Sequence, residues 1–261
     1  MKVVVAVKAV GALDDEAELV DGDTAVDPDG LEWDLNEWDA FSLEEALMLR
    51  DAAGDGEVVA LTVGDEEAQD SLLACLAKGA DRAVRIWDDV LAGADPLAVA
   101  RVLAAAIEPE APDLVLCGVQ SSDAVNGATG VAVAAHLGLP HVAVVKRLEL
   151  EAGVATVERE LEGGLVEVLR IRLPALMTIQ TGINEPRYAT LRAIKQARDK
   201  PLSELGLDDV GLDAAQVGAA AGARLRQLRH PEKGEGAEML DGSPEDVAAR
   251  IADIVKERMS A

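Results

Sequence analysis

Residues 114–137 read LVLCGVQSSDAVNGATGVAVAAHL: an apolar run, a polar loop punctuated by glycine, then small and apolar residues at helical spacing. Leu114–Cys117 is a short strand, Gly118–Asn126 a loop and Gly127–Leu137 a helix. The same unit recurs upstream. Lys2–Val7 (KVVVAV) is β-branched throughout, as a strand buried on both faces must be. A helix is predicted over Ala40–Ala53, apolar on Phe41, Leu43, Ala46, Leu47 and Leu49 and ended by Gly54. Glu57–Val63 is the next strand, Glu66–Lys78 a helix closed by Gly79, and Arg82–Trp87 another strand. Asp95, with Pro96 at the first helical position, opens a helix to Ile107. Strand and helix alternate from the first residue, which predicts an α/β fold: a parallel sheet covered by helices through right-handed crossovers. Only Asp14–Asp34 interrupts the rhythm, as an acidic loop broken by Gly and Pro.

Past His141 the period changes. Val142–Leu150, Val154–Leu161 and Val166–Leu173 are strand-like runs joined by Glu-Ala-Gly and by Glu162-Gly163-Gly164, so antiparallel hairpins are expected over about 141–181, with Leu176–Gln180 as a further strand. NEPRYATL (Asn184–Leu191) leads into a short helix. Residues 1–198 are expected to form one domain. Asp199–Gly242, rich in Ala, Gly and acids, reads as an extended arm, and 199–261 as an arm ending in a helix. That helix starts with a capping Ser243, Pro244 and two acids, and carries an apolar stripe of Val247, Ile251, Ile254 and Val255.

Composition bounds the function. The 261 residues carry 49 Asp+Glu against 24 Lys+Arg, a formal charge of −25, which argues against partners made of nucleic acid or anionic lipid. Apolar residues make up 49%, enough to build a core. The most apolar stretch, Val131–Val145, is broken by His, Gly and Pro, so membrane insertion is not expected. The opening MKVVVAVK lacks the features of a signal peptide, and a cytoplasmic protein is expected. Acid excess, scarce aromatics and more Arg than Lys suggest a halophilic surface, hydrated at salt concentrations that screen charge within about 3 Å.

No Walker loop, no GxGxxG after a strand, no metal-ligand spacing and no nucleophile elbow is present. Cys75 and Cys117 stand in apolar runs, and His136, His141 and His230 lie near element ends, where structural roles suffice. The chain is therefore expected to hold no catalytic residue and no metal, and to bind or carry. The candidate site is Gly118–Gly130. It follows a strand's carboxyl end and enters a helix, where unpaired N–H groups favour an anion, and Gly127 and Gly130 allow close approach. Ser121, Ser122, Asn126 and Thr129 add donors for phosphate oxygens. The same residues also suit an ordinary turn and helix cap, so composition leaves both readings open.

The chain resembles the beta subunit of electron transfer flavoproteins, the FixA family. The resemblance is carried by VVVAVK, LNEWDAFSLEEAL (Leu35–Leu47), CLAKGADRA (Cys75–Ala83), DLVLCGVQSSD (Asp113–Asp123), VERELEGGLVEV (Val157–Val168) and LPALMT…NEPRYATL (Leu173–Leu191), in family order over about residues 2–205. Its most specific part is Val157–Thr178, with Arg159, Glu162-Gly163-Gly164, Glu167 and Pro174 at family spacing. The resemblance implies a Rossmann-like domain that binds AMP and pairs with an alpha subunit holding most of an FAD. It implies an AMP pocket lined by Ala6, Asn36, Glu37, Trp38, Asp39 and Val63, and by Gly118, Gln120, Ser121, Ser122, Asp123, Asn126, Gly127, Ala128 and Thr129. It brings Glu160 toward the flavin, where a carboxylate disfavours anionic reduced forms. It makes Leu191 an apolar anchor for dehydrogenase partners, with a membrane quinone-reducing oxidoreductase as acceptor and the C-terminal arm on the alpha subunit. Glu37 stands where the family usually has Pro, Ala124 and Val125 where it has aspartates, and Val119 where a basic residue is common. Two rivals remain: a bifurcating type with a second FAD in place of AMP, and a stand-alone adenine-nucleotide module without redox function.

Overall fold

A computed structural model describes residues 1–13, 17–20, 22, 24–28, 31–232, 236–237 and 239–260. Parts of the expected acidic loop (14–16, 21, 23, 29 and 30) and of the expected arm (233–235 and 238) lie outside the described residues. The chain divides into two compact units, Met1–Gln227 and Leu228–Ala261.

The first unit is built on a nine-stranded sheet. Its strands are β1 (Lys2–Ala6), β6 (Glu57–Val63), β7 (Arg82–Ile86), β8 (Leu114–Gly118), β9 (His141–Glu151), β10 (Val154–Glu160), β11 (Val166–Arg172), β12 (Ala175–Ile179) and β13 (Leu202–Leu205), in spatial order β11-β10-β9-β12-β8-β1-β6-β7-β13. From β9 across to β13 every pair is parallel, and β10 and β11 extend the sheet as antiparallel hairpin strands. Ala152 and Gly153, both with positive φ, make the tight turn that pairs Glu151 with Val154.

Alternate residues of each parallel strand face opposite layers. Val3, Val5, Val58, Ala60, Leu114 and Leu116 pack with helices α1 (Glu37–Ala53) and α2 (Ala68–Lys78). Val4, Val59, Leu61 and Val115 pack on the other face with α3 (Pro96–Ile107) and α4 (Thr129–Leu137). The helix signals act as expected: Asp95 accepts from the Ala98 N–H above Pro96, and Gly54 ends α1 with φ of 73°.

Three regions differ from the sequence reading. The loop before α1 contains two small ribbons, β2 (Ala9–Gly11) with β5 (Trp33–Leu35) and β3 (Leu19–Val20) with β4 (Ala25–Val26), too short to show a period. Strand β12 is not part of a hairpin. It inserts between β8 and β9, parallel to both, because all five of its residues are buried and need cover on each face. The stretch expected as arm from Asp199 opens instead with β13, which closes the sheet edge against β7. It continues into α6 (Ala214–Ala220), whose Asp213 and Gln216 form a capping box. Helix α5 (Leu191–Ala197) starts at Leu191 with Thr190 as its cap. In the second unit, α7 (Pro244–Met259) is capped by Ser243 and Asp246 as expected.

Candidate functional site

After β1 the chain moves outward through β6 and β7, then returns to lay β8 on the other side of β1. The strand order therefore reverses between β1 and β8, and at such a point the two crossovers leave on opposite faces and open a crevice beyond the carboxyl ends. A cavity of about 220 Å³ lies there. Ala6 lines it from the end of β1 and Val7 and Lys8 from just beyond it, Val63 from β6, Cys117 and Gly118 from β8, and Pro96, Val99 and Leu103 from α3. The loop adds Gln120, Ser121, Asn126 and Gly127, and α4 begins at its wall with Ala128, Thr129 and Gly130.

Two side chains from the start of α1 hold the crevice in shape. The Asp39 carboxylate accepts from the Lys8 and Gly118 N–H groups, each at 2.8 Å, and so ties the ends of β1 and β8 together. Burial pushes its carboxyl up to about 7, against hydrogen bonds from Gly118, Asn36 and Lys8 that favour the charged form. Asn36, buried beneath the loop, donates Nδ2 to the Gln120 carbonyl at 2.9 Å and accepts from the Ser122 N–H at 3.2 Å. At the mouth, Lys8 Nζ lies 2.6 and 2.7 Å from the two Asp123 oxygens. Burial works to raise the Asp123 carboxyl, but the Lys8 and Ser121 hydrogen bonds and the Lys8 charge outweigh it and hold it below the usual range. Burial pushes the Cys117 thiol far above the usual range, so it offers no thiolate to the cavity.

The expected pocket residues divide. Ala6, Asn36, Asp39, Val63, Gly118, Gln120, Ser121, Asn126, Gly127, Ala128 and Thr129 come together around the cavity. Glu37 is exposed at the first position of α1, and Trp38 turns away to donate Nε1 to Gln180 at 2.9 Å. Ser122 is exposed, and Asp123 reaches the cavity through Lys8. The two loop glycines have different roles. A Cβ on Gly130 would meet Cys117 Sγ at 2.4 Å, so this glycine lets α4 pack on the sheet. Gly127 has φ of 59° and nothing nearer than 3.8 Å, which leaves its Cα open to a ligand. The residues missed from sequence are Lys8 and the α3 wall. Lys8 follows a strand's carboxyl end just as Gly118 does, and that signal was sufficient to find it.

Glu160 ends β10 half-exposed, 4.0 Å from Lys146 Nζ. Leu191 is 81% exposed at the start of α5. The segment before it is clamped to α1: Arg187 makes a bidentate pair with the buried Glu44 at 2.9 Å, and Asn184 donates to Glu45 and to the Phe41 carbonyl. No group of His, Cys, Asp and Glu among the described residues is arranged to hold a metal, and no helix among them is long and apolar enough to cross a membrane.

A parallel α/β sheet with a cavity at its topological switch point, a glycine-bearing loop and a helix start is the class of open α/β domain whose ligands bind at the carboxyl ends of the strands. Residues 23–210 match the electron transfer flavoprotein domain family. The chain is 49% identical to the electron transfer flavoprotein subunit beta of Methylophilus methylotrophus over 98% of both chains. It is 35% identical to the protein of that name from Bacillus subtilis over 93% of both. It is also 35% identical to the caffeyl-CoA reductase-Etf complex subunit CarD of Acetobacterium woodii over 86% of both. The chain belongs to the beta subunit family of electron transfer flavoproteins.

Proposed function

We propose that this chain is one half of a heterodimeric electron carrier. An alpha subunit holds most of an FAD, and the switch-point cavity of this chain holds AMP as a structural nucleotide. FAD supplies the redox chemistry when bound. This chain orients the flavin, excludes water from it, and presents a docking surface to dehydrogenase donors, with a quinone-linked oxidoreductase as acceptor. The observation that carries the reading is near full-length similarity to beta subunits joined to a cavity at the switch point.

Several features support it. Glu160, half-exposed and paired only loosely with Lys146 at 4.0 Å, can approach a partner's flavin, where its charge would disfavour anionic reduced forms. Leu161, Leu165, Val166 and Val168 expose an apolar patch at the sheet edge, a surface that fits a permanent partner. Helix α7 has no buried residue and exposes Ile251, Val255 and Met259, which fits an arm that packs on the alpha subunit. Leu191, exposed on a clamped segment, fits an anchor for transient partners.

Co-expression with the alpha subunit tests the reading. The pair should co-purify with flavin absorption in the visible, while this chain alone should carry none. Stoichiometric FAD on the isolated chain would favour the bifurcating arrangement, and a pair without flavin would overturn the proposal.

A further inference from the structure

Lys8 is the sole cation among the described residues that line the cavity, and its ammonium is already taken. Both Asp123 oxygens lie within 2.7 Å of it, and Ser121 Oγ stands at 3.4 Å. The two carboxylate oxygens meet Lys8 as two oxygens of a phosphate monoester would. We propose that Lys8 and Asp123 form a latch on the cavity in which the protein's own carboxylate stands in for the ligand's anion, so that a phosphorylated ligand must take Lys8 over from Asp123. The proposal rests on the adenylate reading of this cavity and adds how the site selects and admits its ligand.

The geometry permits the exchange. The backbone of Lys8 is fixed, because its N–H is held by Asp39 at 2.8 Å. Its side chain is 44% exposed and can turn inward without disturbing the strand end. Asp123 sits in the turn Ser121–Val125, closed by the Val125 N–H on the Ser121 carbonyl at 3.0 Å. Asn36 anchors that turn independently of Lys8 through Gln120 and Ser122. Breaking the ion pair therefore leaves both partners in place. The other acidic group near Lys8, the Asp39 carboxyl, has each of its oxygens held by a backbone N–H group. An incoming phosphate gains Lys8 and the start of α4, while Asp123 loses its partner but remains close enough to solvent to be hydrated. The latch thus costs affinity for every anionic ligand and costs nothing for a neutral one.

The test compares AMP, adenosine and inorganic phosphate by calorimetry on the nucleotide-free full-length chain at one ionic strength. Asp123→Asn removes the competing charge and should bind AMP about tenfold tighter, with adenosine unchanged. Lys8→Met should weaken AMP about tenfold toward the affinity of adenosine, again with adenosine unchanged. Equal shifts for AMP and adenosine in Asp123→Asn, or no shift in either, would overturn the latch while leaving the adenylate reading intact. Phosphate that binds Asp123→Asn more tightly than the natural chain, with no adenosine binding anywhere, would keep the latch and remove the adenylate. No binding of any of the three to any variant would overturn both.

Discussion

Gly118→Ala should destabilise the protein strongly, although it adds only one methyl to the loop. A Cβ at this position would lie 2.5 Å from Asp39 Oδ1 and 2.5 Å from Trp38 Cβ, both in the first turn of α1. Ordinary contact begins about 1 Å further out, and the neighbours cannot yield cheaply. The Asp39 carboxylate is held by two backbone N–H groups at 2.8 Å, and the Trp38 carbonyl accepts from Ser42. The methyl strains α1 against β8 at Trp38 and also turns Asp39 off Gly118. Overpacking costs about 1–3 kcal/mol, and losing a hydrogen bond to a charged group costs about 1.5–3 kcal/mol. Together they predict about 3–5 kcal/mol, or about 10 °C in melting temperature for a chain of this size. Gly127→Ala is the control. With φ of 59° and no clash it should cost only about 1 kcal/mol, while its methyl intrudes on the ligand's side of the loop. Urea unfolding followed by circular dichroism gives both values. A Gly118→Ala variant that melts within a degree of the natural chain, or a Gly127→Ala variant equally damaged, would refute the assignment of one glycine to packing and the other to the ligand.

Leu191→Ala should leave flavin content and melting temperature unchanged while electron transfer from a dehydrogenase falls about thirtyfold, as loss of about 2 kcal/mol of docking requires; a large drop in melting temperature would show a packing role instead. The assay belongs at molar salt, where the charge of −25 no longer repels acidic partners. Because Asp39 is raised from 3.8 to about 7, the folded chain keeps a proton that the unfolded chain releases, so this site's stability contribution falls as pH rises from about 4 to about 7 and is level above that, by at most about 4 kcal/mol. Asp39→Asn removes that slope and strands one backbone N–H, so its deficit of about 1–3 kcal/mol near pH 5 should narrow toward pH 8, as urea titrations at each pH would show. Arg187→Met leaves the buried Glu44 carboxylate with the Arg187 N–H but without its guanidinium; a loss of about 1–3 kcal/mol is expected by thermal melting, together with weaker docking because Leu191 is no longer held in place.

Much of this was legible in the sequence, for definite reasons. Lys2–Ala6 and Glu57–Val63 are buried on both faces, so their β-branched runs show directly. Asp95-Pro96 and Gly54 are local signals that need no tertiary context. β13 was missed because LSEL at a sheet edge has only Leu202 and Leu205 half-buried, too few to set a period. The direction of β12 was not readable because pairing partners come from tertiary structure. In the site, the loop Gly118–Thr129 was visible as a loop, but the roles within it were not. Gly127 and Gly130 look alike in sequence, and only the neighbours of each separate ligand access from helix packing. Asp39 and Asn36 were expected beside the ligand, and both line the cavity, but each also braces backbone from beneath. That second role follows from the contact of α1 with β8, which no local pattern encodes.

The occupancy of the switch-point cavity tests the central claim most directly. Nucleotides released from the purified heterodimer are to be identified and counted by mass spectrometry. The account predicts AMP and FAD in equal amounts, each equimolar with this chain. Two FAD per dimer and no AMP would contradict it and assign the cavity to a second flavin, and FAD without any adenylate in this chain would remove the nucleotide from the site altogether.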